Sequence, residues 1–143
     1  MNFTVANIET MPVELFRRFG IACSLRLQRH HSIRGLKRAL ALFIRSLDSE
    51  SGEKLKRDAL NAATSIYHQL YSAGSPEWSI ACTLACAAFG RPNGNLIGNF
   101  ESSLEHFEGL DRREAQEVTN EILRSVLKEA APVQGSGTKS PPA

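Results

Sequence analysis

From Trp78 to Phe89 the chain is apolar on nearly every side of a helix, with Ile80, Ala81, Leu84, Ala85, Ala87 and Ala88 filling the run. Such a helix must be covered by neighbours on several sides. It has about half of the roughly 20 residues needed to span a bilayer, so it predicts a buried, Ala-rich central helix and no membrane segment. Its start is punctuated by Ala73-Gly74-Ser75-Pro76-Glu77. Gly74 suits a left-handed residue closing one helix, Ser75 an N-cap, Pro76 the first position of the next helix and Glu77 its positive dipole end.

Helical spacing extends in both directions. Phe16, Phe19, Cys23 and Leu27 recur at helical intervals after Thr10-Met11-Pro12, and residues 1–9 read as an extended arm. Gly20 interrupts this first helix at a cost of about 1 kcal/mol against Ala, a cost that close packing against a neighbour would offset. Ser32 is placed to cap a second helix whose apolar face is Ile33, Leu36, Leu40, Phe43, Ile44 and Leu47. After the polar turn 48–52, Leu55, Ala59, Ala62, Ile66 and Leu70 mark a third. Beyond the Gly-Pro-Asn loop at 90–95, Ile97, Phe100, Leu104 and Phe107 mark a shorter helix. Asp111 and Glu114 then form a capping-box pattern ahead of a last helix over 112–131, expected to bury Ala115, Val118, Ile122 and Val126 and to stop at Pro132.

The resulting expectation is all-α: a compact bundle of five to six antiparallel helices. Residues 10–131 form one helical domain, and residues 132–143 form a disordered tail without apolar pattern. An apolar share of 42% with 22% charged residues is ordinary for a globular chain. The N-terminus MNFTVANIETMP lacks a basic stretch ahead of an apolar run, which predicts no secretory leader. Three cysteines are too few for a disulfide scaffold, and both features predict a cytoplasmic, reducing location.

Charge is unevenly distributed. Residues 1–47 hold eight Lys/Arg against two acids, whereas residues 91–131 hold five against eight. On the second helix Arg34, Lys37, Arg38 and Arg45 share one side, and Arg18 and Arg29 align on the first. If those two helices formed a hairpin, the six cations would make one surface suited to phosphates or to an acidic protein. The glutamates of the C-terminal half are the competing partners, either within one fold or in a second copy.

No sequence pattern points to catalysis. Walker A, G-x-S-x-G, G-x-G-x-x-G and H-E-x-x-H strings are all missing. Cys82 and Cys86, spaced C-x-x-x-C within the apolar helix, read as two small buried hydrophobes and not as metal ligands. Tyr67, Tyr71 and Trp78 cluster near the Gly74 turn. With Arg91 and Asn93 of the following loop they read either as an interaction surface or as the closure of the bundle end. The expected function is therefore that of a non-enzymatic small helical protein, without cofactor or metal, that binds another protein as adaptor, inhibitor or subunit. The alternative is binding of DNA or RNA by the basic N-terminal helices.

Overall fold

The computed structural model describes residues 4–139, with side chains for residues 4–130. Among the described residues six α-helices occur in chain order: α1 (Val13–Leu27), α2 (Arg34–Ser46), α3 (Gly52–Ser72), α4 (Trp78–Ala88), α5 (Asn95–Glu108) and α6 (Arg112–Lys139). Short 3-10 turns at Val5–Thr10 and Gln28–His30 precede and follow α1. Among the described residues there is no strand, and no helix is long and apolar enough to cross a membrane. The all-α expectation is correct.

α4 sits in the middle, packed against α1, α3 and α5 and touching α2. Ile80, Ala81, Leu84, Ala87 and Ala88 are buried there, and four fully buried phenylalanines, Phe16, Phe19, Phe43 and Phe100, complete the core from α1, α2 and α5. Two polar side chains within α4 are satisfied locally. The Thr83 hydroxyl donates to the Ser79 carbonyl at 2.8 Å, and the Ser79 and Ser103 hydroxyls bond at 2.7 Å across to α5. At Gly20 of α1 the backbone comes so near α4 that an added Cβ would collide with the Ala87 methyl and lie 3.2 Å from the Ala87 Cα. This is the close packing that its place in the helix suggested.

α1 and α2 do not make a hairpin. The buried face of α1 (Leu15, Phe16, Phe19, Cys23, Leu27) goes to α4, α5 and α6, while α2 lays Leu36, Ala39, Leu40 and Phe43 mainly against α3 and meets α1 only slightly. Each amphipathic face has found a different partner, and the basic surface assumed to join α1 and α2 is divided accordingly.

The helix ends follow backbone chemistry. Gly74 is left-handed at φ 73°, the Ser75 N–H donates to the Leu70 carbonyl at 2.9 Å, and the Gly74 N–H donates to the Tyr71 carbonyl at 3.1 Å, a complete Schellman closure of α3. Regular α4 begins at Trp78, two residues after the expected Pro76, because Ser75 to Trp78 first forms a tighter turn. In that turn the Trp78 N–H donates to the Ser75 carbonyl at 3.2 Å, and the Ser75 hydroxyl accepts from the Glu77 N–H at 3.3 Å. The Asp111–Glu114 capping box is formed in both directions, at 2.9 and 2.8 Å.

Ser32, by contrast, makes no cap. His31 Nδ1 accepts the Ile33 N–H at 3.1 Å, Ile33 takes the N-cap position, and α2 begins at Arg34. The expected extended arm is also corrected from residue 5 onward. Asn7 accepts the Thr4 N–H at 2.6 Å through its side chain and the Thr10 hydroxyl at 2.7 Å through its carbonyl, which winds the segment while Ile8 and Met11 enter the core. On α6, Leu123 and Thr119 are buried with Ala115 and Val126, and Val118 and Ile122 lie at the core margin. Helical backbone continues past Pro132 to Lys139, whereas the side chains of residues 131–139 and all of residues 140–143 lie outside the described residues.

Candidate functional site

Beside α4 lies an open groove of about 390 Å³. Leu60, Thr64 and Tyr67 of α3 form one wall, Cys82, Ala85, Cys86 and Phe89 of α4 form the other, and Arg91, Asn93 and Asn95 close one end. The Schellman turn creates this space by bringing α3 back along α4. At one end Tyr67 packs on Trp78 with ring centroids 5.9 Å apart. At the other, Lys56 Nζ comes within 3.8 Å of where a Gly90 side chain would begin.

The aromatics singled out from sequence do meet. Tyr71 stands edge-on to Trp78 at 5.5 Å, and Tyr67 lies 6.0 Å from Tyr71, a triad at the turn end of the groove. Tyr71 is 61% exposed, and Phe89, at the other end of the groove, is 58% exposed. Arg91 lies on the rim. Asn93 instead serves the backbone. Its Nδ2 donates to the Cys86 carbonyl at 3.4 Å and the Arg91 carbonyl at 3.1 Å, holding the loop against the last turn of α4.

The two α4 cysteines are only half-buried, with Cys86 also packed against the core margin. They line the groove, partly exposed, whereas Cys23 of α1 is fully buried, and all three are unbridged. The Cys82 thiol is shifted down because the Cys86 thiol donates a hydrogen bond to it, and Cys86 is shifted well up by holding that proton, with burial adding to the effect. Asn99 Nδ2 approaches the Cys86 sulfur at 3.9 Å. Because α4 is apolar all round, the pattern gave no sign of which face would stay open.

The basic residues are dispersed. Arg34, Lys37, Arg38 and Arg45 are exposed on α2, and none makes an ion pair among the described residues. Arg18 instead edges a second groove beside Ile21, Leu25, Ile44, Leu47 and Val126. Arg29 is engaged internally, its guanidinium 3.3 Å from Glu108.

Glu108 is the centre of a cluster that sequence reading missed. Arg26 grips it with two hydrogen bonds at 3.0 and 2.7 Å, and His30 Nε2 lies 2.9 Å away. The Arg26 bond, reinforced by His30 and Arg29, holds the carboxyl down at about 2 despite its partial burial. One signal was available. An acid as the last residue of α5, just before left-handed Gly109, sits at the negative end of the helix dipole and needs cations from elsewhere. No family model, curated protein or solved structure matches the chain.

Proposed function

We propose that this chain is a non-enzymatic binding protein whose partner is another protein, and that the partner docks on the α3–α4 groove. The observation that carries this reading is a pair of exposed aromatics beside one apolar-walled groove rimmed by Arg91: Phe89 lines the groove, and Tyr71 packs on its lining residue Tyr67. Tyr, Trp and Arg are the residues that most often dominate binding energy at interfaces. Rigid support favours the same use, since α4 is fixed from behind by α1 and α5. Adaptor, inhibitor and complex subunit all fit this description, and free thiols suit a reducing, cytoplasmic setting. The test is quantitative affinity capture from the source cell with wild type and with Phe89→Glu and Tyr71→Ala. Partners held by the groove fall at least tenfold with both variants while circular dichroism is unchanged; an identical partner set in all three samples rejects the groove.

A second reading, binding of DNA or RNA, is favoured by one observation. The α2 face keeps four exposed cations that no described carboxylate neutralises. It is smaller than the surface a hairpin would have offered, because Arg29 is committed to Glu108 and Arg18 faces another groove.

A further inference from the structure

The groove floor holds two thiols that a docking surface does not require. We propose that Cys82 and Cys86 form a two-thiolate site for a soft monovalent cation, Cu(I) by its chemistry. This assignment is independent of any protein partner. Residues one helical turn apart carry Cβ atoms about 5–6 Å apart, whereas a disulfide needs about 3.5–4.5 Å. Joining the sulfurs directly would therefore bend α4 where Ala87 is packed against Gly20. One bridging cation suits the wider span without that distortion, and the two unbridged thiols line the same groove.

Ligand number selects the metal. Structural zinc takes four protein ligands and catalytic zinc three, and among the described residues no cluster of three or more His, Cys, Asp or Glu is placed to hold an ion. Two thiolates alone suit a soft d¹⁰ ion of low coordination number, for which Cu(I) is the first-row example. Binding exchanges one Cu⁺ for two thiol protons and leaves a bis-thiolate complex with one net negative charge. The groove suits that charge: Arg91 lines it, Lys56 Nζ lies near its end at Gly90, and Asn99 Nδ2 lies 3.9 Å from the Cys86 sulfur. Leu60, Ala85 and Phe89 make the surrounding walls apolar, which disfavours competing oxygen ligands.

The deciding experiment is anaerobic titration of the full, reduced chain with Cu(I) in competition with bathocuproine disulfonate. One equivalent is expected to bind, with affinity lowered more than about 100-fold in Cys82→Ser and in Cys86→Ser and unchanged in Cys23→Ser. In wild type, Cu(I) should also protect both groove thiols from N-ethylmaleimide, a mass readout that does not depend on the variants folding. Failure of wild type to compete with the chelator, retention of the equivalent by either groove variant, or unprotected thiols in the copper-loaded protein each overturn the site.

Discussion

Gly20 and Ala87 meet backbone to side chain at the crossing of α1 and α4, with no room for a methyl group on the glycine. Alanine would ordinarily improve a helix by about 1 kcal/mol. Here the overlap with a packed partner outweighs that gain. Gly20→Ala is expected to destabilise the protein by a net ~1–2 kcal/mol, read as a lower urea midpoint with unchanged slope; a raised midpoint would refute the close approach.

Glu108 makes stability depend on acid pH. Its carboxyl is held at about 2, below its ordinary value of 4.5, so the ionised form is favoured by folding. The contribution is complete above pH 4.5 and is lost as pH falls toward 2. Glu108→Gln should cost about 2 kcal/mol at neutral pH, the scale of hydrogen bonds to a charged group. Denaturation curves of the two proteins should converge near pH 2; a constant gap down to that pH would show that the cluster is not electrostatic.

Thiol chemistry should divide the cysteines two against one. Cys23 is fully buried, and burial together with the nearby Glu101 charge pushes its thiol up, so it should react only on unfolding. Cys82, shifted down by its Cys86 hydrogen bond, should be alkylated first in the native protein. Peptide mass mapping over time gives the order, and early labelling of Cys23 would contradict the packing of α1.

Four α2 cations set the scale for the second functional reading. If Arg34, Lys37, Arg38 and Arg45 all contact phosphates, log K for duplex DNA should fall with log salt at a slope of about −3 to −4. Arg34→Glu with Arg38→Glu should remove retention on DNA. Unchanged retention in that double variant would exclude this face.

Backbone closure at Gly74 gives a prediction free of packing effects. A Cβ there would touch nothing within 4 Å, yet φ is 73°. Gly74→Ala should therefore cost about 1–2 kcal/mol through strain alone, and thermal denaturation should show it without any change in the groove's thiol reactivity.

The fold was legible where a local rule is strong. Gly74 in its Schellman turn and Asp111 with Glu114 in their capping box depend on neighbouring residues only, and each formed as expected. Ser32 shows how such a rule fails: a cap was chemically available, but the adjacent His31 ring captured the Ile33 N–H. Tertiary pairing was less visible. Both α1 and α2 show clear apolar stripes, and nothing in either stripe says that one goes to α4 and the other to α3. The aromatic triad could be found because Tyr67, Tyr71 and Trp78 flank one turn, whereas Glu108 and Arg26, 82 residues apart, share no local signal. That Cys82 and Cys86 would be only half-buried was hidden for a related reason, since a helix apolar on all sides hides which side its neighbours leave open.

The separation of α1 from α2 also bears on how the chain is made. Synthesis delivers α1 first, then α2 and α3, which can settle on each other at once, but the partners of α1 are α4, α5 and α6. Until the ribosome has passed Trp78, Phe16, Phe19 and Leu27 have no helix to cover them. The newborn chain thus carries an uncovered apolar stripe on α1 while α2 and α3 are being made, a surface a chaperone would recognise.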